Sequence, residues 1–134
     1  MTIALTAHDS KKELLAQFCT AYRRVLSEHR LIATGGTGRL VSDRAQLNVE
    51  QFLPGRLGGS QQISSRIACD EVDLLLFFRD PILPSPDEPD DMGLLRICDV
   101  HNIPLATNIA TAEVLVHGLE HGDLDWRAIL HSRM

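Results

Sequence analysis

Pro54 to Gln62 reads Pro-Gly-Arg-Leu-Gly-Gly-Ser-Gln-Gln, and its three glycines, Gly55, Gly58 and Gly59, fall within five residues. Glycine reaches positive φ without steric penalty and lets the backbone come close to a bound group. An apolar, helix-like pattern follows at once, and a glycine-rich turn that opens a helix aims backbone N–H groups at an anion. A second cluster, Thr34-Gly35-Gly36-Thr37-Gly38, has a similar makeup and adds two hydroxyls. His8-Asp9 with Lys12, together with Asp80, Asp87 and Asp90, brings groups that carry charge and protons. These residue types offer an anion grip, of the kind that holds phosphate, beside candidates for acid–base work.

The elements that must position these residues alternate between strand type and helix type from end to end, the pattern of an α/β domain with a mostly parallel sheet. Thr2 to Ala7 is the first strand. Leu14, Leu15, Phe18, Cys19, Tyr22, Val25 and Leu26 recur at helical spacing from about Lys11, with Asp9 or Ser10 available as the cap. Leu31 to Ala33 is a strand that runs into the Thr34–Gly38 cluster, after which a short helix should follow. A weak strand lies around Val49 to Phe52. The glycine loop comes next, then a helix from about Gln61 to Ala68. Val72 to Phe78 is apolar after Asp73 and reads as a strand buried on both faces. Arg79 to Asp91 holds four of the six prolines and must be an irregular surface loop. A helix over Met92 to Val100, a strand over Pro104 to Thr107 and a helix over Thr111 to Leu119 complete the pattern. In the tail, Trp126 and Ile129-Leu130 are expected to dock on the body.

Ligands of open α/β sheets bind where the carboxyl ends of the strands emerge. Those ends are Ala7-His8-Asp9, Thr34 to Gly38, Gly55 to Ser60, Asp80 with the proline loop, and Thr107-Asn108, so every candidate motif falls on one rim.

Composition sets outer bounds. The 134 residues suit one domain, 1–134. A hydrophobic fraction of 44% with 23% charged residues is that of a soluble globular chain, and no apolar run reaches membrane-spanning length. The chain begins Met1-Thr2 and enters its first strand directly, which leads us to expect a cytoplasmic protein without a membrane partner. A net charge of -5 with one Trp, one Tyr and four Phe argues against a nucleic-acid surface. Cys19, Cys69 and Cys98 lie far apart in helical segments and read as core thiols of a reducing compartment, and no metal-ligand spacing is present. No cofactor is expected.

Taken in order, these residues resemble the methylglyoxal synthase family over roughly Ile3 to Thr111. The resemblance rests on Ala7-His8-Asp9 with Lys12, Ala33-Thr34-Gly35 with Thr37-Gly38, Gly58-Gly59 with Gln61-Gln62, Phe77-Phe78 with Asp80-Pro81, Pro89-Asp90, Leu94-Leu95-Arg96 and Pro104-Leu105-Ala106-Thr107-Asn108. It implies a three-layer α/β/α domain with a central, mostly parallel sheet of about five strands. It also implies a cytoplasmic lyase that converts dihydroxyacetone phosphate to methylglyoxal and inorganic phosphate, and a homohexamer. By the same resemblance Lys12, Thr34 and Thr37 hold the phosphate and Gly55 offers a backbone contact, with Gly59 beside it in the same loop. His8, Asp9, Asp80 and Asp90 line the pocket.

The chain departs from the family pattern inside that pocket. Gly36 stands where the family has a phosphate-contacting threonine, Pro54 where it has a serine, Ser60 where it has the aspartate base, and Asp87 where it has a histidine that polarises the carbonyl. A serine hydroxyl needs a partner to act as a base, and a carboxylate repels an enediolate. Arg56, in the glycine loop, offers a guanidinium that can replace lost phosphate contacts; it also fits an exposed loop arginine. The basic C-terminal residue of the family has no clear match, with Arg127 and Arg133 as candidates.

Two functions stay open on the sequence. One is a methylglyoxal synthase working slowly or with Asp80, Asp90 or Asp9 as base. The other is a non-enzymatic module for a phosphorylated metabolite or inorganic phosphate, the role related domains play in carbamoyl phosphate synthetase. Without the resemblance, His8-Asp9 also fits a strand-end pair that caps a helix, Thr34 to Gly38 a plain turn, Lys12 a solvated charge, and Asp87 with Glu88 the solubilising charges of a loop. His101, His117, His121 and His131 show no ligand spacing and receive no role.

Overall fold

A computed structural model describes residues 1–82, 86 and 91–132, without the side chains of residues 91 and 130–132. Five strands form one parallel sheet in the order β3-β2-β1-β4-β5. They are β1 (Thr2–Ala7), β2 (Arg30–Ala33), β3 (Val49–Gln51), β4 (Leu74–Phe78) and β5 (Leu105–Ala106). The helices are α1 (Lys12–Ala21), α2 (Arg23–Leu26), α3 (Gly35–Ala45), α4 (Gly59–Ala68), α5 (Asp91–His101), α6 (Ile109–Glu120) and α7 (Asp125–Ser132).

Strand periodicity builds both cores, because successive side chains leave opposite faces of a sheet. Ile3 and Leu5 of β1 with Leu74, Leu76 and Phe78 of β4 meet Leu15 and Phe18 of α1, Val41 of α3 and Val116 of α6. Ala4, Leu75 and Phe77 face the other way, onto Ile63 and Ile67 of α4 and Leu94 and Cys98 of α5. The expected three-layer α/β/α arrangement with a five-stranded parallel sheet is therefore observed.

Several local expectations change. Neither Asp9 nor Ser10 caps α1: residues Asp9–Lys11 form a 3-10 turn, and the helix begins at Lys12 with no side-chain cap. Both side chains are drawn to other partners, Asp9 to Lys12 and Ser10 to Asp80. The Thr34–Gly38 cluster does not precede a helix but forms its first turn, since α3 starts at Gly35. The helix after the glycine loop likewise starts two residues before Gln61, at Gly59. Cys69 sits just beyond the end of α4 and is exposed, unlike the buried Cys19 and Cys98. Trp126 and Ile129 stay largely at the surface, 49% and 56% exposed, while Arg127 between them is buried among the described side chains of α7; the Leu130 side chain, also expected to dock, lies outside the described residues. Helical spacing puts Arg127 on the opposite face of α7, so burying one excludes the other two.

Candidate functional site

The sheet order reverses direction between β1 and β4, the switch point at which a crevice opens in a sheet of this kind. His8 follows β1 there and is 1% exposed. Its backbone N–H donates to Phe78 O at 3.0 Å, and the Asp80 N–H donates to His8 Nδ1 at 2.7 Å. An imidazole nitrogen that accepts carries no hydrogen, so the ring proton is on Nε2. Phe77 holds the ring edge-on, with centroids 5.3 Å apart. Asp80 is braced in turn: the Ser10 hydroxyl donates to Oδ2 at 2.8 Å and the Ile82 N–H to Oδ1 at 3.0 Å.

Next to this pair, Lys12 Nζ meets Asp9 Oδ1 at 2.7 Å. The Lys12 hydrogen bond holds the Asp9 carboxyl below its usual value of 3.8, outweighing partial burial, with the charges of Lys12 and Arg56 adding to the effect. The Arg56 charge therefore acts at the same place as Lys12. A Cβ added to Gly36 would stand 3.0 Å from Lys12 Nζ, which puts the ammonium over the first turn of α3.

Two helix starts converge on the rim from opposite faces of the sheet. Gly35 N donates to Leu53 O at 3.0 Å, and a Cβ on Gly59 would drive into that same Leu53 carbonyl. Only glycine fits at position 59. Gly58, just before it, has φ of 110°, which an L side chain rarely adopts. The first N–H groups of a helix have no acceptor inside it. Here the outer ones are taken, Gly35 by Leu53 O, Gly38 by Thr34 O, Gly59 by Pro54 O and Gln62 by Gly58 O. Gly36 and Thr37 of α3, and Ser60 and Gln61 of α4, lie between them, and no side chain caps either helix.

The cap of α3 is missing for a visible reason. Thr34 stands in the N-cap position, yet its hydroxyl bonds Thr6 Oγ1 at 3.1 Å. Thr37 and Ser60 are 1% and 6% exposed, and among the described residues neither hydroxyl oxygen has a hydrogen-bond partner. A buried hydroxyl left without a partner costs about 1–3 kcal/mol, so two of them in adjacent helix starts call for an explanation. Uncapped N–H groups, two hydroxyls able to donate and a nearby ammonium are donors of the kind an anion with several acceptor oxygens uses.

The structure thus brings together His8, Asp9, Lys12 and Asp80 with Thr34, Gly36, Thr37, Gly59 and Ser60. Gly55 and Arg56 lie in the 3-10 turn Gly55–Leu57 that leads into α4. Asp87 and Asp90 are outside the described residues, as is Arg133. Arg127 is far from the rim and binds Asp73 and the Asn102 carbonyl near the amino ends of the strands. Two contributors have no single-sequence signal: Thr6 diverts the Thr34 hydroxyl, and the Leu53 carbonyl lies against both helix starts; Gln62, part of the motif above, has its role shown here, its Oε1 accepting from Leu53 N at 2.8 Å.

Comparison with known proteins agrees with this geometry. The family model described as MGS-like domain matches residues 14–107. The chain belongs to the MGS-like domain family. It is 58% identical over 134 residues to the methylglyoxal synthase of Caldicellulosiruptor saccharolyticus, covering 100% of this chain and 95% of that protein. The methylglyoxal synthase of Oceanobacillus iheyensis is 56% identical over 133 residues, 99% of this chain and 95% of that protein. The crystal structure of methylglyoxal synthase from Elizabethkingia anophelis superposes with a TM-score of 0.84 at 40% identity, covering 86% of this chain and 76% of that chain. The family model starts within α1 and runs through β5, while β1 with His8, Asp9 and Lys12 falls within the full-length alignment to the Caldicellulosiruptor protein.

Proposed function

We propose that this chain is a lyase of the methylglyoxal synthase type, acting on dihydroxyacetone phosphate. The observation that carries the reading is the cradle at the start of α3, where Thr37 presents a buried hydroxyl with no partner and Lys12 stands over the same turn. Relatives named methylglyoxal synthase at 50–58% identity support it. In this reading the phosphate rests on the Gly36 and Thr37 amides, the Thr37 hydroxyl and Lys12, with Arg56, Gly55 and Gly59 closing the loop around it.

A base removes a proton from the hydroxymethyl carbon next to the carbonyl, giving an enediolate. The C–O bond to phosphate then breaks with its electron pair on the leaving phosphate, and the enol product tautomerises to methylglyoxal. Electrons balance without a redox cofactor. Lys12 lowers the proton affinity of Asp9, which counts against Asp9 as base and leaves Asp80 as the described carboxylate for that role, with Asp90 as its alternative. His8, holding its proton on Nε2, is the ring donor for the enediolate oxygen. With Ser60 and Asp87 at the family's base and histidine positions, turnover should fall roughly 10²- to 10⁴-fold below that of an enzyme with both groups.

A second reading is a non-catalytic module that binds a phosphorylated metabolite or inorganic phosphate. The unpartnered Ser60 hydroxyl favours it, because a lone buried hydroxyl donates to an anion better than it accepts a proton. The exposed apolar residues Val114, Trp126 and Ile129 support self-association in either case, as a homo-oligomer and by resemblance a hexamer. Incubation with dihydroxyacetone phosphate, following methylglyoxal and phosphate, tests both. Turnover in the natural chain establishes the lyase. Turnover only in the Ser60→Asp, Asp87→His double variant establishes the binding module.

A further inference from the structure

We propose that a cavity on the α1 and α6 side of the sheet binds a monoanionic carboxylate with a short hydrocarbon tail, separately from the phosphate site at α3. The cavity measures about 340 Å³, within the range of small-molecule sites. It is lined by Lys11 and Leu14 at the start of α1, Phe78 and Arg79 at the end of β4, and Asn108 and Ile109 at the start of α6. The proposed lyase chemistry uses none of these side chains.

Lys11 and Lys12 are neighbours in sequence but serve different places. Lys12 pairs with Asp9 and stands over the first turn of α3, whereas Lys11 lines the cavity together with Leu14, three residues on and on the same helical side. Lys11 is half-buried, and no described residue pairs with its ammonium. An ammonium that has lost part of its hydration is completed by an anion. Asn108 adds a second donor: its Oδ1 accepts from the Thr111 N–H at 3.1 Å, which leaves its NH2 group to donate. Among the described residues lining the cavity there is no carboxylate, although the chain as a whole carries a net charge of -5. The local charge therefore favours an anion. The rest of the lining, Leu14, Phe78, Pro81 and Ile109, is hydrocarbon and suits an apolar tail. Inorganic phosphate would leave that surface uncovered, and an uncharged tail would leave Lys11 without a partner.

The turns that hold His8 and Asp80 also supply Lys11 and Arg79, so the test must separate the cavity from the rim. Titration calorimetry on the full chain compares hexanoate, butyrate and hexan-1-ol in the natural protein, Lys11→Met and Lys12→Met. Hexanoate should bind with a dissociation constant of about 1 mM or below. Butyrate, two methylenes shorter, should bind roughly tenfold more weakly, and hexan-1-ol at least about tenfold more weakly for want of the charge. Lys11→Met should weaken hexanoate about tenfold, leave hexan-1-ol unchanged and melt with the natural chain, since it removes no described ion pair. Lys12→Met should weaken methylphosphonate, a probe of the α3 cradle, and leave hexanoate as it was. Absence of hexanoate binding, equal binding of hexan-1-ol, or indifference to Lys11→Met overturns the proposal. So does loss of hexanoate in Lys12→Met alone, which would put the carboxylate in the phosphate site. None of these outcomes touches the lyase reading, which turnover of dihydroxyacetone phosphate decides.

Discussion

Near the amino ends of the strands a charged side chain is buried among acceptors, while at the carboxyl ends two hydroxyls are buried with none among the described residues. Arg127 is 3% exposed, and its guanidinium donates to Asp73 Oδ1 at 3.3 Å, Asn102 O at 2.8 Å and Val72 O at 3.4 Å. Asp73 is itself tied to the start of β1, accepting from Thr2 N at 2.9 Å on its other oxygen. This cluster pins α7, the end of α5 and the starts of β1 and β4 together. At the other end, Thr37 and Ser60 are held in place by their helices, and among the described residues their hydroxyls have no partner. The difference teaches where this chain spends its stability. One end closes the fold with paired charges, and the other holds donors that no described residue satisfies, the pattern expected where a proposed ligand would bind.

The comparison is broken most directly at its stable end. Arg127→Met removes the guanidinium and leaves the Asp73 carboxylate half-paired, so unfolding free energy should drop by about 3 kcal/mol, read from the urea midpoint. Ligand affinity in the surviving folded protein should not change, and a loss of binding at saturating stability would show that the ends are not independent. Gly59→Ala attacks the rim through its backbone, pushing a methyl group into the Leu53 carbonyl. It should lower stability by about 2 kcal/mol and also weaken methylphosphonate binding, because both helix starts lean on Leu53.

Lys12→Met sharpens the comparison with a smaller change in the fold and a larger one in binding. Methylphosphonate affinity should fall roughly tenfold, the value of one charge-assisted hydrogen bond. The accompanying stability effect has a definite sign. The Asp9 carboxyl is depressed in the folded state, so the Lys12 pair contributes above the usual carboxylate value of 3.8 and loses that contribution as pH falls through the lower folded value. The difference in melting temperature between the natural chain and Lys12→Met should be constant near neutrality and shrink only below about pH 4. Since Asp9 is largely exposed, the difference should also be small and should fall with salt. A difference that grows on acidification would contradict the assignment.

The fold was legible because strand and helix announce themselves through periodicity. The continuous apolar run Leu74–Phe78 could only be a strand covered on both faces, and it is an inner one, between β1 and β5. Element ends were less legible. Gly35-Gly36 reads as a loop by propensity, yet it forms the first turn of α3, because the Gly35 N–H finds Leu53 O and close packing against Phe52 and Pro54 leaves no room for a side chain. The tail was misread for a similar reason. Trp126 and Ile129 look like anchors by hydrophobicity, but the acceptors offered by Asp73, Asn102 and Val72 turn Arg127 inward.

For the site, the sequence by itself determined which residue types meet on the rim, since an all-parallel alternation places the carboxyl end of every strand on one side. It also determined that glycines cluster at both helix starts on that rim. Only the tertiary structure decided that the Thr34 hydroxyl would go to Thr6 and leave α3 uncapped, that Leu53 would bind the two helix starts into one place, and that Thr37 and Ser60 would be buried without partners. The Gly35–Leu53 and Thr6–Thr34 bonds join residues 18 and 28 positions apart, and their physical cause is competition among partners brought together by packing, which no local pattern in the chain encodes.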